Sequence, residues 1–468
     1  MFPDHSRNHI EGPVDIDALC TLWYTLFKWN VTQYLLNLEP ADVMTIGNHE
    51  FDHGIDGLVP FLDHIKTPVV VCNFDDSSEP KMQGKYTKSI VLEKNGKKIG
   101  VVGVTTTLAT GNRGKLKILP EVENVKKEVD NLVEKRIKII IVLSHSGLEV
   151  DREIAKHGGD IDIIVGGHSH SFLYSGTPSI GPDTPVSDYP TIEEQENGRK
   201  VLIVQASAYA KYLGNITLYF DEDGEIKHYE GAPIFLSHDI EQDPEIINKL
   251  KPWKEELDKY QSMKIGSINF SLDFSCLEQE CGIGNLITDA MVDSFVNAAD
   301  SGEWTAASIA LLNSRGIRST LSRGDINYAD LVSVLPFENY YNIIEIPGST
   351  LREALEFSVS NSSTLAIFQV SGIKVTFDLK RKPYDRIVEL KVLCQDCLMP
   401  KYEDIDKSKD YRVVISNYIA EGGDGYTMFP AATSYTVIGM RDIDVLSEYI
   451  KKYSPITKPL IQSRIKFL

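Results

Sequence analysis

Between residues 41 and 170 the chain repeats one pattern: an apolar run, a polar loop and an amphipathic stretch. The runs are VMTI at 43–46, VVVC at 69–72, KIGVVGV at 98–104, KIIIVL at 138–143 and IDIIV at 161–165, with a helix predicted near 55–64. Unbroken Val/Ile runs mark strands buried on both faces, and their alternation with helices predicts an α/β fold. Residues 237–263, SHDIEQDPEIINKLKPWKEELDKYQSM, are charged, helical in tendency and interrupted by Pro244 and Pro252. Strand character returns only at GSINFSL, so this stretch predicts a helical linker. An α+β pattern follows, with helices at about 283–298 and 348–359 and strands such as YNIIEI and GIKVTF. No repeat at solenoid periods occurs. The expected organisation is a first domain over 1–236, a linker over 237–265 and a second domain over 266–468.

Length and charge narrow this further. A chain of 468 residues exceeds one ordinary core and fits two large units. Hydrophobic residues make up 42%, yet no apolar run approaches the roughly 20 residues of a membrane helix. The net charge of −19 opposes general binding to nucleic acid or anionic lipid, so an anionic substrate must meet local positive charge. The six cysteines include two close pairs, Cys276/Cys281 and Cys394/Cys397, leaving Cys20 and Cys72 without an obvious partner. Unequal spacings and a long gap favour two local disulfides over one zinc site built from both pairs. Sequons at Asn30, Asn215, Asn269 and Asn361 are compatible with an oxidising secretory route. The opening MFPDHSRNHIEG, by contrast, has no apolar core and does not read as a signal peptide.

Candidate chemistry gathers where apolar runs stop. VMTI ends in GNHE, IIIVL in SHSG and IDIIV in GGHSH. Carboxyl ends of adjacent strands converge on one crevice in open α/β sheets, which would bring Asn48, His49, His145, His168 and His170 together. Imidazoles with an amide oxygen and carboxylates suit borderline divalent cations such as Zn²⁺, Mn²⁺ or Co²⁺. Any one of these histidines alone would read as an ordinary hydrogen-bonded residue; three coincident strand ends point to a metal site. A metal would supply the positive charge that the composition lacks and would polarise phosphoryl oxygens.

GNHEFD, SHSG and GGHSH, followed by GNLITDAM, GIRS, VLPF and GGDGY, resemble the 5'-nucleotidase family of dinuclear metallophosphoesterases, from TLWYTLFKWNVT at 21–32 to RIKFL at the end. The resemblance implies a calcineurin-like metallophosphoesterase β-sandwich flanked by helices, then an α+β 5'-nucleotidase domain. It implies Asn48, His145, His168 and His170 as metal ligands. It makes His49 and Asp52 the catalytic pair, His49 stabilising charge on the phosphoryl group and Asp52 holding its imidazole; the three-residue spacing places both on one side of a helical turn. Glu50 and His53 read as solvated neighbours. The implied reaction is metal-dependent hydrolysis of nucleotide phosphates: AMP to adenosine and phosphate, or apyrase-like action on ATP and ADP. The metal is expected to be zinc, with Mn, Co, Mg or Ca as alternatives, and the parent form soluble and secreted.

One departure bears on activity. The family opens with a strand ending in Asp-x-His and later a Gly-Asp-Gln run before TLWY. Here GPVDIDALC stands before Thr21, with Ile16 at the register of the metal-bridging aspartate. Asp4, His5, Asp15 and Asp17 are not assigned as ligands. Two metals bind in the full-length family; this segment predicts one or none, and leaves the sheet without a buried first strand. The alternative reading is therefore a catalytically impaired nucleotide-binding protein.

In the second half, NSRGIRS at 313–319 places Asn313, Arg315 and Arg318 in a turn after IALL, and guanidinium forks suit phosphate oxygens. The resemblance gives Asn313 and Arg318 substrate contacts. Arg315 stands where glycine is common in the family, and an extra cation there would favour di- or triphosphates. Phe337 and Tyr418 match the aromatics that sandwich the base, and Asp424 matches the carboxylate that bonds the ribose hydroxyls. Taken alone, Phe337 would read as core and GGDG as a surface turn. Leu277, in CLEQEC, replaces an arginine that contacts phosphate in some relatives. Neither the oligomeric state nor the choice among AMP, ADP, ATP and UDP-sugars follows from these residues.

Overall fold

The computed structural model describes residues 26–468 except 95, 108–112, 238, 299–302, 361–364, 398, 432–433 and 458–459, and the side chains of 431 and 434–439. It divides into two compact units, Met1–Lys249 and Leu250–Leu468. The division falls within a 19-residue helix, Pro244–Ser262.

The first unit is built on a six-stranded sheet. Its strands are β1 (Ser89–Lys94), β2 (Lys97–Thr105), β3 (Ile139–His145), β4 (Ile163–Val165), β5 (Thr191–Glu194) and β6 (Lys200–Val204), in spatial order β1-β2-β3-β4-β6-β5. The four inner strands run parallel, and β1 and β5 close the edges antiparallel. All seven residues of β3 are buried, as expected of a strand covered on both faces. Helix α1 (Gly54–His64) follows the GNHEFD loop. Helix α2 (Glu121–Glu134) turns Val125, Val129 and Leu132 inward at helical spacing, onto a core with Val101, Ile140, Val142 and Ile154. Each such side chain contributes roughly 1.5–3 kcal/mol on burial. Helix α3 (Leu148–His157) connects β3 to β4.

The runs VMTI and VVVC depart from expectation. Met44 and Val69 are buried, yet each run makes only isolated parallel bridges, Met44 with Val69 and Val70 with Thr87. Apolar content reports burial, not ladder pairing, and other contacts satisfy these backbones: Thr45 Oγ1 donates to Val70 O and the Cys72 N–H to Gly103 O. The segment expected to lack the family's first strand, with Asp4, His5, Asp15, Ile16, Asp17 and Cys20, lies outside the described residues.

In the second unit a five-stranded mixed sheet has the order β9 (Phe368–Ser371), β7 (Ile309–Asn313), β13 (Asp410–Ser416), β8 (Tyr340–Pro347), β14 (Ser434–Arg441). A four-stranded sheet comprises β12 (Tyr402–Asp404), β11 (Ile387–Leu393), β10 (Ile373–Phe377) and β15 (Ile465–Phe467), in that order. The helix predicted at 283–298 is Gly282–Asp293, with a short 3-10 turn at Val296–Ala298; the one predicted from 348 is Gly348–Ser358. Two disulfides, Cys276–Cys281 and Cys394–Cys397, form from the close pairs. Cys72 is a buried free thiol whose pKa burial pushes up to about 12. Among the described residues no helix is long and apolar enough to cross a membrane.

Candidate functional site

In the first unit the parallel strands deliver their side chains to one edge of the sheet. His145 is the last residue of β3, beside Thr105 at the end of β2. His168 and His170 follow β4 in the GGHSH loop. Asn48 Oδ1 lies 2.9 Å from His145 Nε2 and 3.0 Å from His168 Nδ1, and the two imidazole centroids are 5.2 Å apart. Three of the four expected ligands therefore meet through one amide oxygen. His170 packs edge-on against Tyr209, with centroids 5.6 Å apart.

The donor geometry fits a metal ion. Ligand atoms about 2.1 Å from a common centre lie roughly 3.0–3.4 Å apart in octahedral or tetrahedral arrangement, which the two Asn48 separations approach. The backbone also leaves room for the ring: a Cβ on Gly47 would stand 2.7 Å from His145 Nε2 and Cε1. Among the described residues the one compact group of three His, Cys or carboxylate donors is Cys394, Cys397 and Glu403, and its sulfurs are joined in a disulfide. His145, His168 and His170 do not form such a group by their ring nitrogens; what joins His145 and His168 is the Asn48 amide oxygen.

His49 opens a short 3-10 turn, His49–Phe51, that Asp52 closes. The turn brings His49 Nδ1 to 3.0 Å from Asp52 Oδ2, both side chains partly exposed. Glu50 is a correction. It is 3% exposed, not solvated, and its Oε2 accepts the Gly47 N–H at 2.9 Å. The tight turn folds this carboxylate back under its own loop, where it fixes the backbone that precedes Asn48. His53 is half-buried rather than solvated.

Two further buried groups support the histidine loops and were not apparent in the sequence reading. Gln205, directly after β6, bonds the GGHSH loop with both ends of its amide. Its signal was present: VLIV at 201–204 is another apolar run ending in a polar residue. Asp151 on α3 is fully buried; its Oδ1 accepts from Ser144 Oγ beside His145, and burial lifts its pKa from 3.8 to about 7.

In the second unit Asn313 ends β7, and Asp424 Oδ2 accepts from its Nδ2 at 2.9 Å. Tyr418 OH donates to Asp424 Oδ1 at 2.8 Å. Asp424 sits at φ 52 between glycines, and a Cβ on Gly423 would come within 2.5 Å of the Tyr418 ring. The GGDG run is thus shaped around Tyr418 rather than being a free surface turn. Arg318 lies over the face of Phe337, 5.0 Å from its centroid, a cation–π contact. Arg315 is exposed on the turn after Asn313. The turns that carry the two aromatics are tied together, because the Tyr340 N–H donates to Asn417 Oδ1 at 2.8 Å.

A family model described as calcineurin-like phosphoesterase matches residues 14–172, and one described as 5'-nucleotidase, C-terminal domain, matches residues 264–431. The chain is 45% identical over 447 residues to a Tabanus yao protein named apyrase, covering 93% of this chain and 81% of that one. It is 38% identical over 461 residues to the 5'-nucleotidase of Rattus norvegicus, covering 96% and 80%. Among solved structures, a 5'-nucleotidase precursor from Thermus thermophilus superposes with a TM-score of 0.86 at 30% identity, covering 96% of this chain and 87% of that one.

Proposed function

The chain belongs to the 5'-nucleotidase family of calcineurin-like metallophosphoesterases, and from that premise we propose that it hydrolyses nucleotide phosphates in a metal-dependent reaction. The observation that carries the reading is the convergence of His145 and His168 on the Asn48 amide oxygen, in the loop that also carries the His49–Asp52 pair. Asn48, His145, His168 and His170 would hold a divalent cation, and their nitrogen and oxygen donors favour zinc. Bound there, the cation supplies Lewis-acid polarisation of phosphoryl oxygens and a water of lowered pKa.

The chain's own residues do the rest. Asp52 accepts from His49 Nδ1, which orients the ring, stabilises its protonated form and leaves Nε2 to donate to a phosphoryl oxygen as charge builds. Glu50 and Gly47 hold the loop that carries both residues. In the second unit Phe337 and Tyr418 stack the base, Asp424 accepts from ribose hydroxyls, and Asn313, Arg315 and Arg318 meet the phosphates. The exposed Arg315 extends that positive surface, which favours ADP and ATP alongside AMP. Two disulfides and the exposed sequon residues Asn30, Asn215 and Asn269 support an extracellular setting; Asn361 lies outside the described residues. A mass loss on endoglycosidase treatment of chain made in a secretory host tests that setting.

The decisive assay is phosphate release from AMP, ADP and ATP with Zn²⁺, Mn²⁺, Mg²⁺ or Ca²⁺, with His49→Ala as control. Metal-dependent release that disappears in the variant is expected, and the preferred nucleotide names the branch. Folded protein that binds nucleotide but releases no phosphate would sink the hydrolase reading.

A further inference from the structure

We propose that Gln205 is the positioning residue that sets metal affinity at the His168/His170 loop; this rests on the metallophosphoesterase reading above. The loop is unusual in its backbone. His168 and His170 adopt φ of 70 and 54, the left-handed region that side chains with a Cβ disfavour. Two such residues in three positions persist only where their surroundings over-determine them.

Gln205 supplies that determination. Its Nε2 donates to Gly167 O at 3.2 Å, just before His168. Its Oε1 accepts from Ser169 Oγ at 3.1 Å, between the two histidines, and from the Ser171 N–H at 2.5 Å, just after His170. One buried amide, 2% exposed, thus brackets each left-handed histidine on both sides. Ser169 Oγ passes the constraint on, accepting from the Leu148 N–H at 3.0 Å at the start of α3, three residues after His145. The strand end below is pinned as well: the Gly166 N–H donates to Val204 O at 2.8 Å and the Ser207 N–H to Ser171 O at 3.0 Å.

No isostere reproduces the amide's pairing of one acceptor end with one donor end. Its oxygen faces an N–H and a hydroxyl while its nitrogen faces a carbonyl, so the orientation is dictated. A carboxylate would turn an oxygen toward Gly167 O, and a hydrocarbon would leave the Ser171 N–H and Gly167 O without this partner. Gly166 has no room to compensate, since a Cβ there would stand 3.2 Å from Gln205 Nε2 and 2.3 Å from Asp151 Oδ2. Gln205 needs no contact with the metal to act; it fixes where the imidazoles sit before the metal arrives, and loss of such supporting bonds typically weakens metal binding by roughly 10–100-fold.

The test is Zn²⁺ binding alone, measured by equilibrium dialysis on the full chain, with melting in EDTA as a second readout. Gln205→Leu is expected to bind Zn²⁺ roughly 10–100-fold more weakly and to fold in EDTA with a lowered melting temperature, since three buried hydrogen bonds are lost, and Gln205→Glu, which keeps the acceptor, is expected to fall between in affinity. Parent-like Zn²⁺ affinity in Gln205→Leu would overturn the assignment while leaving the metallophosphoesterase reading intact. Failure of both variants to fold in EDTA would make Gln205 a fold residue and overturn it too. A parent chain that binds no divalent metal would overturn the reading on which the assignment stands.

Discussion

Gly47→Ala is the sharpest test of the metal-site geometry, because it adds one methyl group at a point where the fold leaves no room for it. The new Cβ would lie 2.7 Å from His145 Cε1 and Nε2 and 2.8 Å from Cδ2, the ring being 2% exposed at the end of a fully buried strand. Carbon atoms in contact sit at about 3.5–4.0 Å, so the ring or the GNHE loop must give by roughly 0.8 Å. Either motion breaks the 2.9 Å approach of His145 Nε2 to Asn48 Oδ1. Overpacking of this kind costs about 1–3 kcal/mol of stability, and for a unit of this size each kcal/mol lowers Tm by about 2–4 °C. The catalytic loss should be larger than that suggests. A displacement near 1 Å of a positioned group costs on the order of 100-fold in rate, about 2.7 kcal/mol of barrier. The assay is kcat/KM for AMP and ADP at saturating metal, with melting measured in parallel. Gly214→Ala is the control, since its Cβ would meet nothing nearer than 3.6 Å. Unchanged kcat/KM in Gly47→Ala, with a normal Tm, would refute the placement of His145 as a ligand.

His49→Ala should lower kcat by roughly 100- to 1,000-fold, the scale of losing one donor to developing charge, with metal binding retained; Asp52→Asn should lower it less, because the imidazole remains. Tyr418→Leu should raise KM by roughly 5- to 150-fold, corresponding to about 1–3 kcal/mol of base stacking. Tyr418→Phe keeps the ring and removes the hydroxyl, which donates to Asp424 Oδ1 and accepts from the Asp424 N–H, so its effect should be about 1–2 kcal/mol; equal effects in the two variants would argue against stacking. Burial raises the Asp151 carboxyl from 3.8 to about 7, so between those values the native state holds a proton that the unfolded chain has released. That contribution is present in full below about pH 4 and is lost as pH rises through 7. The Tm of Asp151→Asn, measured against pH, should therefore gain on the parent from pH 4 to 7 and then level off; a constant difference would show that Asp151 is not protonated in the fold.

Three of the four inner strands were legible because they are continuous apolar runs, and the candidate ligands were legible because each lies just beyond such a run. Where legibility failed, the cause was physical. VMTI and VVVC look like strands because burial and pairing demand the same residues, yet they bridge at single positions. Glu50 reads as solvated because a carboxylate usually is; only the fold-back of the GNHE turn onto the Gly47 N–H makes it a buried support. Gln205 lies 34 residues from Ser171, which it holds, and no local spacing announces so distant a bond. Taken alone GGDG reads as a surface turn; the Tyr418 ring over Gly423 is what shapes it.

The histidine loop also shows why such residues persist at an unfavourable backbone. Two left-handed side-chain residues cost on the order of 1–3 kcal/mol each, while the three bonds from Gln205 return about 0.5–1.5 kcal/mol apiece. The two sums are of similar size, so the clamp holds the loop without making it a source of stability. Glycine at 168 and 170 would relieve the backbone cost at once. What glycine cannot provide is the imidazole, and on the proposed reading the two positions hold histidine for its donor atoms. A metal bound to the folded chain and absent from the unfolded one would then stabilise the native state in proportion to the logarithm of its concentration over Kd. On that reading stability and catalysis at this edge of the sheet would be linked through the same ion.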